Sequence, residues 1–263
     1  MRRVALALAL LAGALAAYAL VRHFRRAYTS TRGAQIVRFT LHSRDVGRDL
    51  DELLVVPPRH GSTLLVLLHG RGVGPSSWLS QPFFDELRAL GRRAPTVLIL
   101  DGGDHSYWHD RADGRWGTMV LREAIPAGVV RTHAARIAIG GISMGGFGAL
   151  DLGMRGRFCA VGAHSPALWA DAGRAAPGAF DDAADFTRHD LLSAARRRAL
   201  YGSRVWIDVG ADDPFVATDT TFARLLAQQD EALTFHVWPG GHERSYWRAH
   251  VAQYLRFYAA ACR

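Results

Sequence analysis

The stretch "RIAIGGISMGGFGAL", Arg136–Leu150, decides how the rest of the chain is read. An apolar run, Arg136–Gly141, has the length and composition of a buried strand, and "GGFGALDLGMRG" after it reads as a helix. Between them Gly141-Ile142-Ser143-Met144-Gly145 fits G-x-S-x-G. A serine held on a tight strand-to-helix turn is a nucleophile elbow. The turn is strained, and its flanking glycines avoid clashes that a Cβ would cause. The helix N-terminus behind Ser143 offers backbone N–H groups to a developing oxyanion. The alternative, a glycine-rich turn carrying an incidental serine, leaves the strand before it and the helix after it unexplained.

Outward from this turn, strand-length apolar runs alternate with helical segments. "IVRFTLHS" and "DELLVVP" predict a hairpin. "TLLVLLHG" (Thr63–Gly70) is apolar throughout, as expected for a strand covered on both faces. "SSWLSQPFFDELRAL" has helical spacing, and "TVLILDGG" is the next strand. "TMVLREAIPAGVV" reads as a helix that Pro126 kinks or ends. "FCAVGAHS", "VWIDVGADDP" and "LTFHVWPGGH" are later strands, and "ERSYWRAHVAQYLRFYAA" is a closing amphipathic helix. This alternation predicts an α/β class: a mostly parallel central sheet with helices on both faces. Residues 168–203, rich in Ala, Asp and Arg, break the rhythm. They read as a lid or excursion over one end of the sheet, or equally as a crossover helix with a long loop.

Composition narrows the function classes. The chain has 263 residues, 49 % of them hydrophobic, enough for one large core. Its formal charge is +8, and all its basic residues are arginine. Arg2, Arg3, Arg22, Arg25, Arg26 and Arg32 all precede the first acidic residue, so the remaining body is close to neutral. The high pI is therefore not a nucleic-acid signature. The uncharged run Val4–Val21 spans roughly 27 Å as a helix, just enough to cross a hydrocarbon core. Residues 1–28 are thus expected to be a hydrophobic N-terminal helix, a signal anchor holding the body at a membrane and outside the cytoplasm. Cleavage after Ala17-Tyr18-Ala19, giving a secreted form, is the alternative. Residues 29–35 read as a linker and 36–263 as the catalytic domain. Cys159 reads as a buried free thiol and Cys262 as part of a frayed tail, rather than as a disulfide pair.

A serine hydroxyl needs a base, and the base needs an orienting acid. In a fold with this elbow the chain order is serine, acid, histidine. The strand "VWIDVGADDPF" ends at Asp212 and Asp213; Asp213, directly before Pro214, is the choice and Asp212 the alternative. His236 lies within a strand and reads as packing. His242, in "PGGHE", follows the last strand on a glycine loop that can reach Ser143. The His69-Gly70 pair after a buried strand suits an oxyanion loop, with the N–H groups of Arg71 and Met144 as donors; Gly72 competes with Arg71. A dinucleotide fingerprint from Gly70 fails, because it needs glycine where Pro75 stands. The loop "GGDHSYWHDRADGRW" follows a strand at the sheet's carboxyl end. Tyr107, Trp108 and Trp116 there would suit an aromatic or sugar-bearing ester, or simply pack the loop down. His105, His109 and Asp110 have no spacing diagnostic of a metal.

The elements "LLHGRG", "GGISMGGFGAL", "VGADDPF" and "WPGGHERSYW" resemble, in order and spacing, the putative-esterase family of α/β-hydrolases. That family includes esterase D-type S-formylglutathione hydrolases, feruloyl esterases and mycolyltransferases. The resemblance covers about Ile36 to Ala260. It implies an α/β-hydrolase fold, a triad of Ser143, Asp213 and His242, and the second acid of the "GADDP" turn in preference to the first. The implied activity is hydrolysis of a small-molecule carboxylic ester through an acyl-enzyme, with no metal or organic cofactor needed. Acyl transfer to an alcohol, as in the mycolyltransferases, and a catalytically dead membrane-tethered binding module are the alternatives.

Overall fold

The apolar run that begins at Thr63 lies deep within an eight-stranded sheet. The computed structural model describes residues 29–263 apart from 198, 199, 201, 230 and 231. The expected N-terminal hydrophobic helix, signal anchor and cleavage site fall in residues 1–28, outside the described residues. Among those described, no helix is long and apolar enough to cross a membrane.

Strands β1 (Gln35–Ser43) and β2 (Arg48–Val56) pair antiparallel in the expected hairpin. Strand β3 (Thr63–Leu68) is followed by a 3-10 turn and helix α1 (Gln81–Leu90), then by β4 (Thr96–Ile99). A two-residue hairpin, β5 (Asp110–Arg111) and β6 (Gly114–Arg115), leads into α2 (Trp116–Met119). A π turn, Val120–Ala124, joins α2 to α3 (Ile125–Thr132). Pro126 therefore neither kinks nor ends a regular helix. It sits in the first turn of α3, where the wide turn before it accommodates the missing N–H. Strand β7 (Arg136–Ile142), α4 (Met144–Gly153), β8 (Ala160–His164), α5 (Ala183–Arg188), α6 (Leu191–Ala195), β9 (Arg204–Gly210), α7 (Val216–Ala227), β10 (Leu233–Trp238) and α8 (Arg244–Ala261) complete the order.

The sheet runs β1-β2-β4-β3-β7-β8-β9-β10. Strand β2 also pairs antiparallel with β4, and from β4 onward every neighbouring pair is parallel. Side chains alternate across β3 as a pleated strand requires. Leu64, Val66 and Leu68 join the core under α2, α3, α4 and α7. Leu65 and Leu67 join the core under α1 and α8. Coverage on both faces explains why the sequence there is apolar without alternation.

Two sequence expectations need correction. Cys159 and Cys262 form a disulfide, with Cα atoms 5.2 Å apart. The C-terminal tail is not frayed, because α8 runs to Ala261 and Tyr254, Leu255 and Tyr258 lock it against the sheet. The chain end therefore arrives beside Cys159 at the start of β8. The expected linker also packs on the body: Ala34 is buried and Arg32 pairs with Asp85 of α1. The excursion after β8 is built of the short helices α5 and α6. Asp182 and Asp190 cap them, accepting the N–H groups of Asp185 and Ser193 at 2.7 and 3.1 Å.

Candidate active site

Ser143 stands at the junction of β7 and α4 with φ 56° and ψ −115°, a conformation that non-glycine residues rarely adopt. Close packing of the turn enforces it. A Cβ on Gly141 would overlap the backbone of Gly145, and one on Gly145 would overlap the carbonyl of Leu68. The strand, turn and helix thus interlock, and only glycine fits at these two positions. The Ser143 N–H donates to the His164 carbonyl at 2.9 Å, and its own carbonyl accepts from Phe147 N–H and Ala167 N–H.

The side chains expected to meet Ser143 do so. His242, on the loop after β10, has Nε2 2.8 Å from Ser143 Oγ. Its Nδ1 lies 2.8 Å from Asp213 Oδ2, on the turn after β9. The Asp213 side chain is fully buried, and its Oδ1 accepts the Phe215 N–H at 2.9 Å. Asp212 does not take part in this chain of bonds; its side chain is exposed. Phe215 and Trp247 present ring edges to the imidazole at centroid distances of 5.2 and 5.0 Å, which limits its tilt. Asp219 of α7 is buried with both oxygens unpartnered among the described residues. Burial, then the charges of Asp213 and Asp208, hold its carboxyl well above the usual range and hence neutral.

The loop after β3 approaches the same point. The buried His69 ring donates from Nδ1 to the Gly70 carbonyl at 2.8 Å and accepts the Gly102 N–H on Nε2 at 3.0 Å. That bonding fixes one neutral tautomer, and burial lowers the ring's pKa further. Gly72 N–H is engaged by the Asp104 carbonyl at 2.9 Å. Among the described residues, the N–H groups of Arg71 and Met144 have no backbone acceptor.

A cavity of about 420 Å³ opens beside Ser143 and His242. Trp78, Tyr107, Trp169, Phe215, Trp247 and Val251 give it a mainly apolar wall, and the exposed Arg71, Arg244 and Arg248 also line it. Of the three aromatic residues singled out in the loop, only Tyr107 lines this cavity. Trp108 is wholly buried, donating its indole N–H to the His69 carbonyl at 3.2 Å and filling the space beside Gly102 and Gly148. Trp116 lies under Arg48, with the guanidinium 4.7 Å from its ring, and lines a separate polar cleft.

Behind the elbow lies a network that sequence reasoning missed. Asp208 of β9 accepts from His164 Nδ1 at 2.6 Å, Trp206 Nε1 at 2.8 Å, Tyr246 O–H at 3.0 Å and Tyr254 O–H at 2.8 Å. His164 Nε2 then accepts from Tyr258 O–H at 3.0 Å. Burial and the Asp208 charge push the three tyrosines up, so they remain donors. His164 also supplies the carbonyl that fixes Ser143. The only signal of this in the sequence is the tyrosine spacing on α8, which alone does not name a partner.

The Putative esterase family matches residues 124–258, just over half of the chain. The chain belongs to that family. It is accordingly a carboxylic ester hydrolase. Solved structures show the same fold at low identity. A ferulic acid esterase superposes with a TM-score of 0.75 at 21 % identity, over 87 % of this chain and 99 % of its own. An S-formylglutathione hydrolase from Agrobacterium tumefaciens gives 0.73 at 18 % identity, over 88 % and 97 %. MPT51 (FbpC1) of Mycobacterium tuberculosis gives 0.71 at 20 % identity, over 88 % and 100 %. No curated protein matches the sequence.

Proposed function

We propose that this esterase cleaves its substrate through Ser143, His242 and Asp213, by way of an acyl-enzyme. One observation carries the reading: two 2.8 Å contacts link Asp213, His242 and Ser143 in a single line. His242 Nε2 accepts the Ser143 proton as Oγ attacks the ester carbonyl. Asp213 holds Nδ1–H, which fixes the useful tautomer and stabilises the imidazolium that forms. The N–H groups of Arg71 and Met144 receive the oxyanion, each contributing about 3–4 kcal/mol to the transition state. The engagement of Gly72 N–H elsewhere favours Arg71 as the first donor. His242 then returns its proton to the leaving alcohol and activates a water against the acyl-enzyme.

The apolar wall beside Ser143 suits an acyl or aryl group of moderate size. The free carboxylic acid is the product, and water the acceptor. The catalytic domain works outside the cytoplasm; a disulfide between Cys159 and Cys262 supports this, since such bonds persist in oxidising compartments.

The test is hydrolysis of p-nitrophenyl esters of increasing chain length. Ser143→Ala is expected to lower kcat by about 10⁴-fold or more and to abolish fluorophosphonate labelling while leaving circular dichroism unchanged. Retained turnover in that variant would overturn the assignment.

A further inference from the structure

His109, Asp185 and His189 bring three potential ligand atoms within 4.8 Å of one another, remote in role from the Ser143 machinery. His109 comes from the loop after β4. Asp185 and His189 lie one helical turn apart at α5, in the excursion after β8. We propose that these three side chains form a binding site for a divalent transition-metal ion, zinc by donor type, which ties the excursion to the body.

The second layer of contacts aims the bare lone pairs at one point. His109 Nε2 lies 3.1 Å from the Ala179 carbonyl. A carbonyl only accepts, so Nε2 carries the proton and Nδ1 presents a lone pair; the Asp110 carbonyl, 3.4 Å from Nδ1, is a poor competitor. That Nδ1 is 3.7 Å from Asp185 Oδ1. His189 Nδ1 lies 3.1 Å from Asp151 Oδ1, a carboxylate that likewise requires the proton on that nitrogen. His189 Nε2 is then bare, 3.9 Å from the same Asp185 Oδ1. A ring nitrogen held by a carboxylate or carbonyl while the other faces the ion is the usual outer layer of a metal-binding histidine.

The carboxylate is oriented too. Asp185 Oδ2 accepts the Asp181 N–H at 2.9 Å, which turns Oδ1 toward the two imidazoles. Arg188 donates to Oδ1 at 3.1 Å, and the second lone pair of that oxygen remains for an ion. His109 and Asp185 are wholly buried, and Phe147 and Phe180 pack against the His109 ring. Ligands about 2.1 Å from a tetrahedral ion stand about 3.4 Å apart, so the 3.7 and 3.9 Å spacings to Asp185 Oδ1 close by a few tenths of an ångström on binding. Two imidazoles and one carboxylate, with a fourth position open, suit zinc over calcium or magnesium.

The rival is an imidazolium at His189 that bridges Asp151 and Asp185 with no metal. The full chain, stripped with a chelator and dialysed, would be titrated with zinc chloride and, separately, cobalt chloride. One zinc per chain surviving gel filtration, a rise in Tm of about 5–10 °C at hundredfold excess over Kd, and tetrahedral cobalt absorption bands are expected. His109→Gln and His189→Gln should each lose the retained ion and the bands while Ser143 still labels with fluorophosphonate. If both variants fail to fold, X-ray absorption of the zinc-loaded wild type decides: two imidazoles with one carboxylate support the site, any other protein donor set overturns it. No stoichiometric ion in the wild type, or wild-type uptake in the folded variants, overturns it as well.

Discussion

Glu52 shows how far one side chain can depart from its ordinary chemistry. It is wholly buried on β2, where Oε2 accepts the Asp101 N–H at 2.8 Å and Oε1 has no partner among the described residues. Burial, opposed by that hydrogen bond and aided by Asp101 and Asp51, raises its pKa from 4.5 to about 8. The folded chain therefore keeps a proton that the unfolded chain releases. Stability is fullest below pH 4.5 as far as this group is concerned, and falls by about 1.4 kcal/mol per pH unit from there until about pH 8. Glu52→Gln, a permanently neutral amide, should erase that slope: denaturant melts of variant and wild type should diverge steadily between pH 5 and 8, with the variant gaining. Parallel curves would show that Glu52 is ionised in the native state. At the same scale, the pairing of Asp213 with His242 is foreshadowed by chain order, Pro214 and the family resemblance together, whereas the unpartnered Glu52 Oε1 and Asp219 oxygens leave no trace in the sequence. Their state depends on which neighbours fail to appear, and no local pattern records that.

Elements set the next level, and here the junction of β7 with α4 leaves no room for an added Cβ at Gly141 or Gly145. Gly141→Ala would drive a methyl group into the backbone of Gly145, which cannot retreat because its own Cα faces the Leu68 carbonyl. A loss of about 3 kcal/mol or more is expected, seen as a lower denaturation midpoint together with weaker labelling of Ser143. Gly74→Ala is the control, since nothing lies within 4 Å of an added Cβ there. The disulfide belongs to this scale too. It joins the end of α8 to the start of β8 across 103 positions, so opening it frees a large loop in the unfolded chain. Cys262→Ser should cost about 3–5 kcal/mol in denaturant unfolding under non-reducing conditions, and a reductant should bring the wild type to the same midpoint. An unchanged midpoint would mean that α8 holds its place by packing alone. Periodicity finds a closing helix without saying where its last residue lands, so from the sequence Cys159 and Cys262 look like a free thiol and a tail.

Across the whole molecule, the strand and helix alternation was legible because a doubly covered sheet writes apolar runs that need no partner to be recognised. The elbow was legible because its glycines answer to backbone geometry. Tyr107 in the cavity and Trp108 in the core were indistinguishable, since adjacent aromatic residues carry the same composition and only the left-handed backbone at both positions sends them apart. The three proposed metal ligands come from a loop and an excursion whose packing no spacing rule encodes, and in the sequence His109 stands near only His105 and Asp110.

The order in which the parts leave the ribosome has a further effect. Ser143 is made 99 positions before His242, its base in the proposed mechanism, and the helix whose tyrosines hold the His164–Asp208 pair follows that histidine. By the proposed mechanism, a nascent chain halted before residue 242 has a nucleophile without its base. Such a chain stays silent until the segment that carries His242 and α8 has emerged and packed onto the sheet.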